Sequence, residues 1–204
     1  MLIFDCEIKM AIPTREPKYY GIKYCDGWHD YAGMGISCVC AYDTDDDTTH
    51  VFMQDNINTF ADMIEDHAPL VGYNSSRFDV PLLAAHGITI PHNDSYDLLD
   101  AIKQAIGLDI YDHPRGYSLD AMAMANISYG KCGDGAEAPV LYQRGEIGQL
   151  IDYCLWDVHL LTRLMSLVCA RGELIDPTTG HMIQIDPPFV SPAPPDELST
   201  WAKV

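Results

Sequence analysis

Apolar residues dominate the run LIFDCE, Leu2 to Glu7, which is short and starts without a helix-capping signal, so it predicts a strand. Residues 8–34 lose any period: Pro13, Pro17 and several glycines predict irregular chain, on which sit Tyr19, Tyr20, Tyr24, Trp28 and Tyr31. The runs MGISCVCAYD and THVFM flank the acidic DTDDDT and predict a hairpin with a solvated turn. INTFADMIEDH has helical spacing, APLVGYN reads as a short buried strand, and SRFDVPLLAAHG predicts a helix stopped by Gly87.

Residues 95–107 and 117–127 give two more helical patterns joined by a DHPRG turn, and 146–171 is the longest periodic segment, a helix closed by Gly172. GELIDPTTGHMIQID predicts a hairpin over 173–186, and the proline-rich residues 187–204 an extended tail. Three early strands followed by helix, strand and several helices predict an α/β domain over residues 1–186, with a mixed central sheet flanked by helices and a C-terminal hairpin. Ligand sites in such sheets lie where strand ends face helices.

Composition narrows the classes. Apolar residues make up 48% and charged residues 21% of 204, and no run approaches the roughly 20 apolar residues of a membrane span. A soluble chain with no membrane contact is expected. The start lacks a secretory pattern, and the seven cysteines form no C-x-x-C pair, so reduced, mostly buried thiols in a cytoplasm are expected. The net charge of −18, from 30 acids against 12 bases, disfavours a binder of long duplexes, which needs a basic face. It leaves open a carboxylate site whose divalent cations meet a phosphate.

Three acids or acid pairs do not suit their surroundings. Asp5 and Glu7 stand two apart on a strand, on one face, where mutual repulsion and lost hydration cost several kcal/mol unless a cation compensates. A wet acidic edge strand is the plainer reading of that pair. Asp79 opens an apolar helix, as a dipole-stabilising residue also does, and Asn74 ends the strand before it. Tyr153 and Asp157 are four apart on one helix face beside Leu150, Leu161 and Leu164, which suits either catalysis or a buried Tyr–Asp contact.

Taken together, Asp-x-Glu on a first strand, Asn-x-x-x-Phe-Asp at a strand-to-helix junction and Tyr-x-x-x-Asp on a late helix resemble the three motifs of the DEDD family of 3′→5′ exonucleases, in its tyrosine (DEDDy) subgroup. The stretch YSLDAMAMANISYGKCGDG and then LYQRGEIGQLIDYCLWDV is similar to the proofreading domains of family-B DNA polymerases. The resemblance covers most of residues 1–170. It implies a ribonuclease H-like fold and a nuclease that releases nucleoside 5′-monophosphates from single-stranded or frayed 3′ ends of DNA or RNA.

It further implies that Asp5, Glu7, Asp79 and Asp157 ligate two divalent ions, Mg²⁺ or Mn²⁺, that Tyr153 orients the attacking water, and that Asn74, Phe78 and Lys131 touch substrate. By analogy the cell is bacterial or phage-infected, and for so acidic a chain either the substrate is short or a protein partner delivers it. Rival readings are an endonuclease or resolvase on the same scaffold, and an idle domain that binds nucleic acid or protein.

The long segment 8–34 departs from a minimal domain of this kind. Its aromatics either stack on unpaired bases or form a small satellite core. Lys131 meets a phosphate or is plain loop. Asp97 and Asp120 read as helix caps or supporting residues, His159 as structural, and His86, His92 and His113 have no ligand-like spacing.

Overall fold

The computed structural model describes residues 1–14, 19–130, 133 and 135–188. Lys131 and most of the proline-rich tail lie outside the described residues. In chain order the elements are β1 (Leu2–Ile8), α1 (Tyr31–Met34), β2 (Ile36–Asp43), β3 (Thr48–Phe52), α2 (Ile57–Glu65), β4 (Leu70–Gly72), α3 (Asp79–Ala85), β5 (Ser95–Asp97), α4 (Leu98–Ala105), α5 (Leu119–Ile127), α6 (Ala138–Arg144), α7 (Ile147–Arg171), β6 (Glu173–Ile175) and β7 (Met182–Gln184).

Five strands form a mixed sheet in the order β3-β2-β1-β4-β5, and β6 with β7 makes the separate hairpin. β1 lies at its centre, antiparallel to β2 on one side and parallel to β4 on the other. β4 pairs with β1 only at Leu2 and Ile3, so beyond Ile3 that edge of β1 opens into a crevice. This change of direction at the carboxyl ends of β1 and β4 is the kind of switch point where open α/β sheets bind ligands.

Alternation along β1 and β2 separates two cores. Leu2, Phe4, Cys6, Ile8, Val39 and Ala41 face Phe60 and Ile64 of α2 and Leu82 and Leu83 of α3. Ile3, Cys38 and Cys40 face the other way, into a core shared with α4, α5 and α7. Asp5 and Glu7 point with Ile3 toward the α7 side, which answers the edge-strand reading: β1 is central and covered on both faces.

The long helix α7 runs over β1 and β2 as its periodicity requires, with Leu150, Cys154, Val158, Leu161 and Met165 buried. Gly172 closes it in the left-handed conformation (φ +68°), donating its N–H to the Val168 carbonyl at 2.8 Å. Three local expectations need correction. α1 (Tyr31–Met34) is a helical turn inside the segment 8–34 that reads as irregular, capped by Asp30, which accepts the Gly33 N–H at 3.0 Å. Residues 95–97 form strand β5 rather than the first turn of a helix, because Ser95–Asp97 pair with Leu70–Gly72. α6 falls where no element was expected; its seven residues are too few to show a period, and Gly145 ends it.

Candidate active site

β1 brings Asp5 and Glu7 out on the α7 face, opposite Cys40 and Cys38 of β2. A carboxylate oxygen from each lies with the Cys154 Sγ in a group whose members are all within 4.8 Å of one another. Glu7 is buried and Asp5 half-buried. The Cys154 thiol donates to the Asp5 main-chain oxygen at 3.5 Å. Burial pushes this thiol's pKa well up, so it stays neutral and is a poor ligand for a hard cation.

The turn from β4 into α3 carries the second group. Gly72 ends the strand where a Cβ would come within 2.3 Å of the Ser75 side chain, so only glycine lets the chain double back here. Asn74 follows in the left-handed region (φ +59°), which asparagine tolerates better than most residues. Asp97 holds this turn: its carboxylate accepts from Asn74 N at 2.8 Å and Ser76 N at 2.9 Å, and also from Leu99 N at 2.9 Å as the cap of α4. It is therefore a cap and a supporting residue at once.

Asp79 then begins α3 and reaches across the crevice. Its Oδ1 accepts the Cys6 N–H at 3.0 Å, between Asp5 and Glu7 on the unpaired edge of β1. Burial is the main reason its pKa is pushed up to about 7; the Cys6 N–H opposes the rise and the Asp97 charge adds to it. The carboxyl thus gives up its proton far less readily than an ordinary aspartate, a cost that a nearby cation would relieve.

α7 places Tyr153 and Asp157 one turn apart, both buried. The Tyr153 ring is packed by the loop after α5: a Cβ on Gly133 would lie 3.2 Å from its Cδ2, and one on Gly135 would lie 3.4 Å from its hydroxyl. Those two glycines were not anticipated as site residues. The Gly-flanked YGKCGDG hinted at a loop, but nothing in it pointed to the tyrosine.

One cleft of about 600 Å³ is lined by Asp5, Glu7, Asp79, Tyr153 and Asp157 together with Asn74 and Phe78. A second cavity of about 430 Å³ shares Asp5, Asn74 and Asp157 with it and continues past them to Lys103, His113 and Tyr117. Among the described residues, the close three-donor groupings include Asp5 and Glu7 but neither Asp79 nor Asp157. Those two share the cleft without entering the tight group. A set of four carboxylates suits hard divalent ions, and the burial of Asp79 gives such an ion a cost to relieve.

The remaining candidates fall elsewhere. His159 is exposed and stacks on Trp156, with ring centroids 5.2 Å apart. His86 lies near the Tyr31 carbonyl (Nε2···O 3.2 Å), and His92 sits in a single 3₁₀ turn. His113 borders the smaller cavity beside Arg77. Asp120 lies in the first turn of α5, close to Gly130. The 43–47 acids form the expected turn, with Asp43 paired to His67 at 2.7 Å.

The sequence pattern of the RNase_H superfamily matches residues 16–169. The chain belongs to the RNase_H superfamily. The match takes in Asp79, Tyr153 and Asp157, while Asp5 and Glu7 on β1 precede it. An RNase_H-superfamily fold also accounts for the likeness to a solved structure, the family B DNA polymerase from the hyperthermophilic archaeon Pyrobaculum calidifontis, with a TM-score of 0.60 at 18% identity over 82% of this chain. This chain spans about a quarter of that polymerase, 24% of its length. No curated protein matches the chain by sequence. Membership in the superfamily and the acid-lined cleft support a nuclease-type function on nucleic acid. Among the described residues no helix is long and apolar enough to cross a membrane.

Proposed function

We propose that this protein is a metal-dependent 3′→5′ exonuclease of the DEDDy type, releasing nucleoside 5′-monophosphates from single-stranded or frayed ends. The observation that carries the reading is the meeting of Asp5, Glu7, Asp79, Tyr153 and Asp157 in one cleft, with Asp79 tied to the backbone between the first two. The four carboxylates would hold two Mg²⁺ or Mn²⁺ ions. When bound, such ions supply a water of lowered pKa and stabilise charge on the departing 3′-oxygen.

This chain's own residues do the rest. Tyr153, with Gly133 and Gly135 beside its ring and hydroxyl, would direct that hydroxyl at the attacking water and limit its orientation. Asn74 and Phe78, at the mouth of α3, bound the space for the terminal nucleotide. The Cys6 N–H holds Asp79 in place whether or not its carboxyl is ionised. The test is a 5′-labelled single strand incubated with Mg²⁺ or Mn²⁺. A descending ladder that is absent in EDTA and in Asp5→Ala is expected; an intact strand under every metal refutes the reading.

The continuation of the cleft past Asp5 and Asp157 into the 430 Å³ cavity favours one second reading, an endonuclease through whose site the strand runs on. A circular single strand distinguishes the two, since only internal cutting can open it.

A further inference from the structure

We propose that residues 19–30 form a base-stacking wall, with Trp28 and Tyr24 as the platform that holds the unpaired end of a nucleic-acid strand beside the carboxylates. The identity of the occupant rests on the nuclease reading above. The wall itself rests on where the aromatic side chains of this segment go.

They do not form a closed satellite core. Tyr31 turns inward, packs against the α2–α3 core and donates its hydroxyl to the Arg77 carbonyl at 2.9 Å. Tyr20 points into solvent, fully exposed. Tyr19, Tyr24 and Trp28 instead line the same cleft as Asp5 and Glu7, and Trp28 remains 65% exposed. A large ring left that open at the rim of a cleft, next to Ile12 and Pro13 in the same lining, is a surface for a flat partner.

The platform is built in advance of any ligand. Ala11 and Tyr24 form a parallel bridge, with Ala11 N–H donating to the Lys23 carbonyl at 3.1 Å and Cys25 N–H to the Ala11 carbonyl at 3.0 Å. Gln143 of α6 clamps both limbs: its amide donates to the Lys9 and Lys23 carbonyls at 2.9 Å, and its oxygen accepts Lys23 N–H at 2.7 Å. The turn bearing Trp28 is fixed by Asp30, which accepts from Asp26 N and Gly33 N at 2.8 and 3.0 Å. Little ordering is left to be done on binding.

Among the described residues that line the larger cleft there is no Lys, Arg or His, and the chain carries a net charge of −18. The described lining thus offers phosphates no basic side chain of its own. Stacking on an aromatic face is insensitive to net charge and tolerant of base identity. It also selects against duplex, whose bases are not free to leave their own stack.

The experiment is binding of a fluorescent single-stranded oligonucleotide with Ca²⁺ replacing Mg²⁺ to hold back chemistry. Trp28→Ala is expected to raise Kd on the order of five- to a hundredfold, and Trp28→Phe to restore most of the loss. An oligonucleotide with abasic sites at its last two positions should bind wild type and Trp28→Ala equally. An unchanged Kd for Trp28→Ala, a loss that persists on the abasic strand, or no binding by wild type overturns the wall. Cleavage by wild type with Mn²⁺ is followed in parallel: an intact strand there counts against the nuclease reading alone, while the Kd comparison still decides the wall.

Discussion

Replacing Asp79 by Asn should stabilise the metal-free protein while removing its activity, and the gain should depend on pH. An ordinary Asp side chain loses its proton near 3.8, whereas burial keeps Asp79 protonated in the fold up to about 7. Between those values the folded state binds more protons than the unfolded one, so stability falls as pH rises and the loss is complete only above about 7. The displacement from 3.8 to about 7 corresponds to about 4 kcal/mol for a single buried group. Asn keeps an oxygen to accept the Cys6 N–H, now at 3.0 Å, and carries no charge to bury. Urea unfolding in EDTA should therefore show Asp79→Asn gaining several kcal/mol over wild type at pH 8 and little at pH 4. Added Mn²⁺ should stabilise wild type more than the variant. Equal stability of the two proteins at pH 8, or the same gain at both pH values, would refute the burial argument.

Three further substitutions probe the supports of the site. Asp97→Ala removes the cap of α4 and the acceptor for Asn74 N and Ser76 N, a loss of about 3 kcal/mol in all; calorimetry should show a lower Tm, and a nuclease assay at a permissive temperature at least a tenfold drop, because the turn leading to Asp79 is loosened. Gly133→Ala places a Cβ 3.2 Å from the Tyr153 ring at a backbone with φ +151°; turnover should fall with KM unchanged, as is also expected of Tyr153→Phe, and a KM effect of equal size would show that the loop acts on substrate instead. Lys103 is 1% exposed and donates to Asp100 at 3.0 Å and to the Ile110 carbonyl at 2.9 Å; Lys103→Met should cost about 2–3 kcal/mol in urea unfolding, whereas an unchanged midpoint would mean the ion pair contributes nothing net.

The parts of this fold that could be read in advance are those where a residue type conflicts with its surroundings or where a period runs long enough to count. Asp5 and Glu7 stood out because two acids on one face of an apolar strand need an explanation, and α7 because its period holds over 25 residues. β5 and α6 were lost for the opposite reason. Three residues, Ser95–Asp97, form a strand only because β4 offers them an edge, and that partner lies more than 20 positions away. The roles of Gly133 and Gly135 depend on which ring packs over them, a tertiary fact with no local signature.

The same reasoning explains why Asp79 alone looked ordinary and in place does not. At a helix start an Asp is stabilised by the peptide dipole, and nothing in FDVPLLAA separates that role from a ligand's. What separates them is the short reach of β4, which stops pairing with β1 after Val71 and leaves the Cys6 N–H without a strand to bond. The Asp79 carboxylate takes the place of the missing strand's carbonyl. It thereby fixes an acid beside Asp5 and Glu7 by a backbone contact that no side-chain substitution on β1 can remove. A carboxyl placed by such a contact stays in its buried position, so the cost of burying it is held by the sheet topology and is available to be relieved by a bound cation.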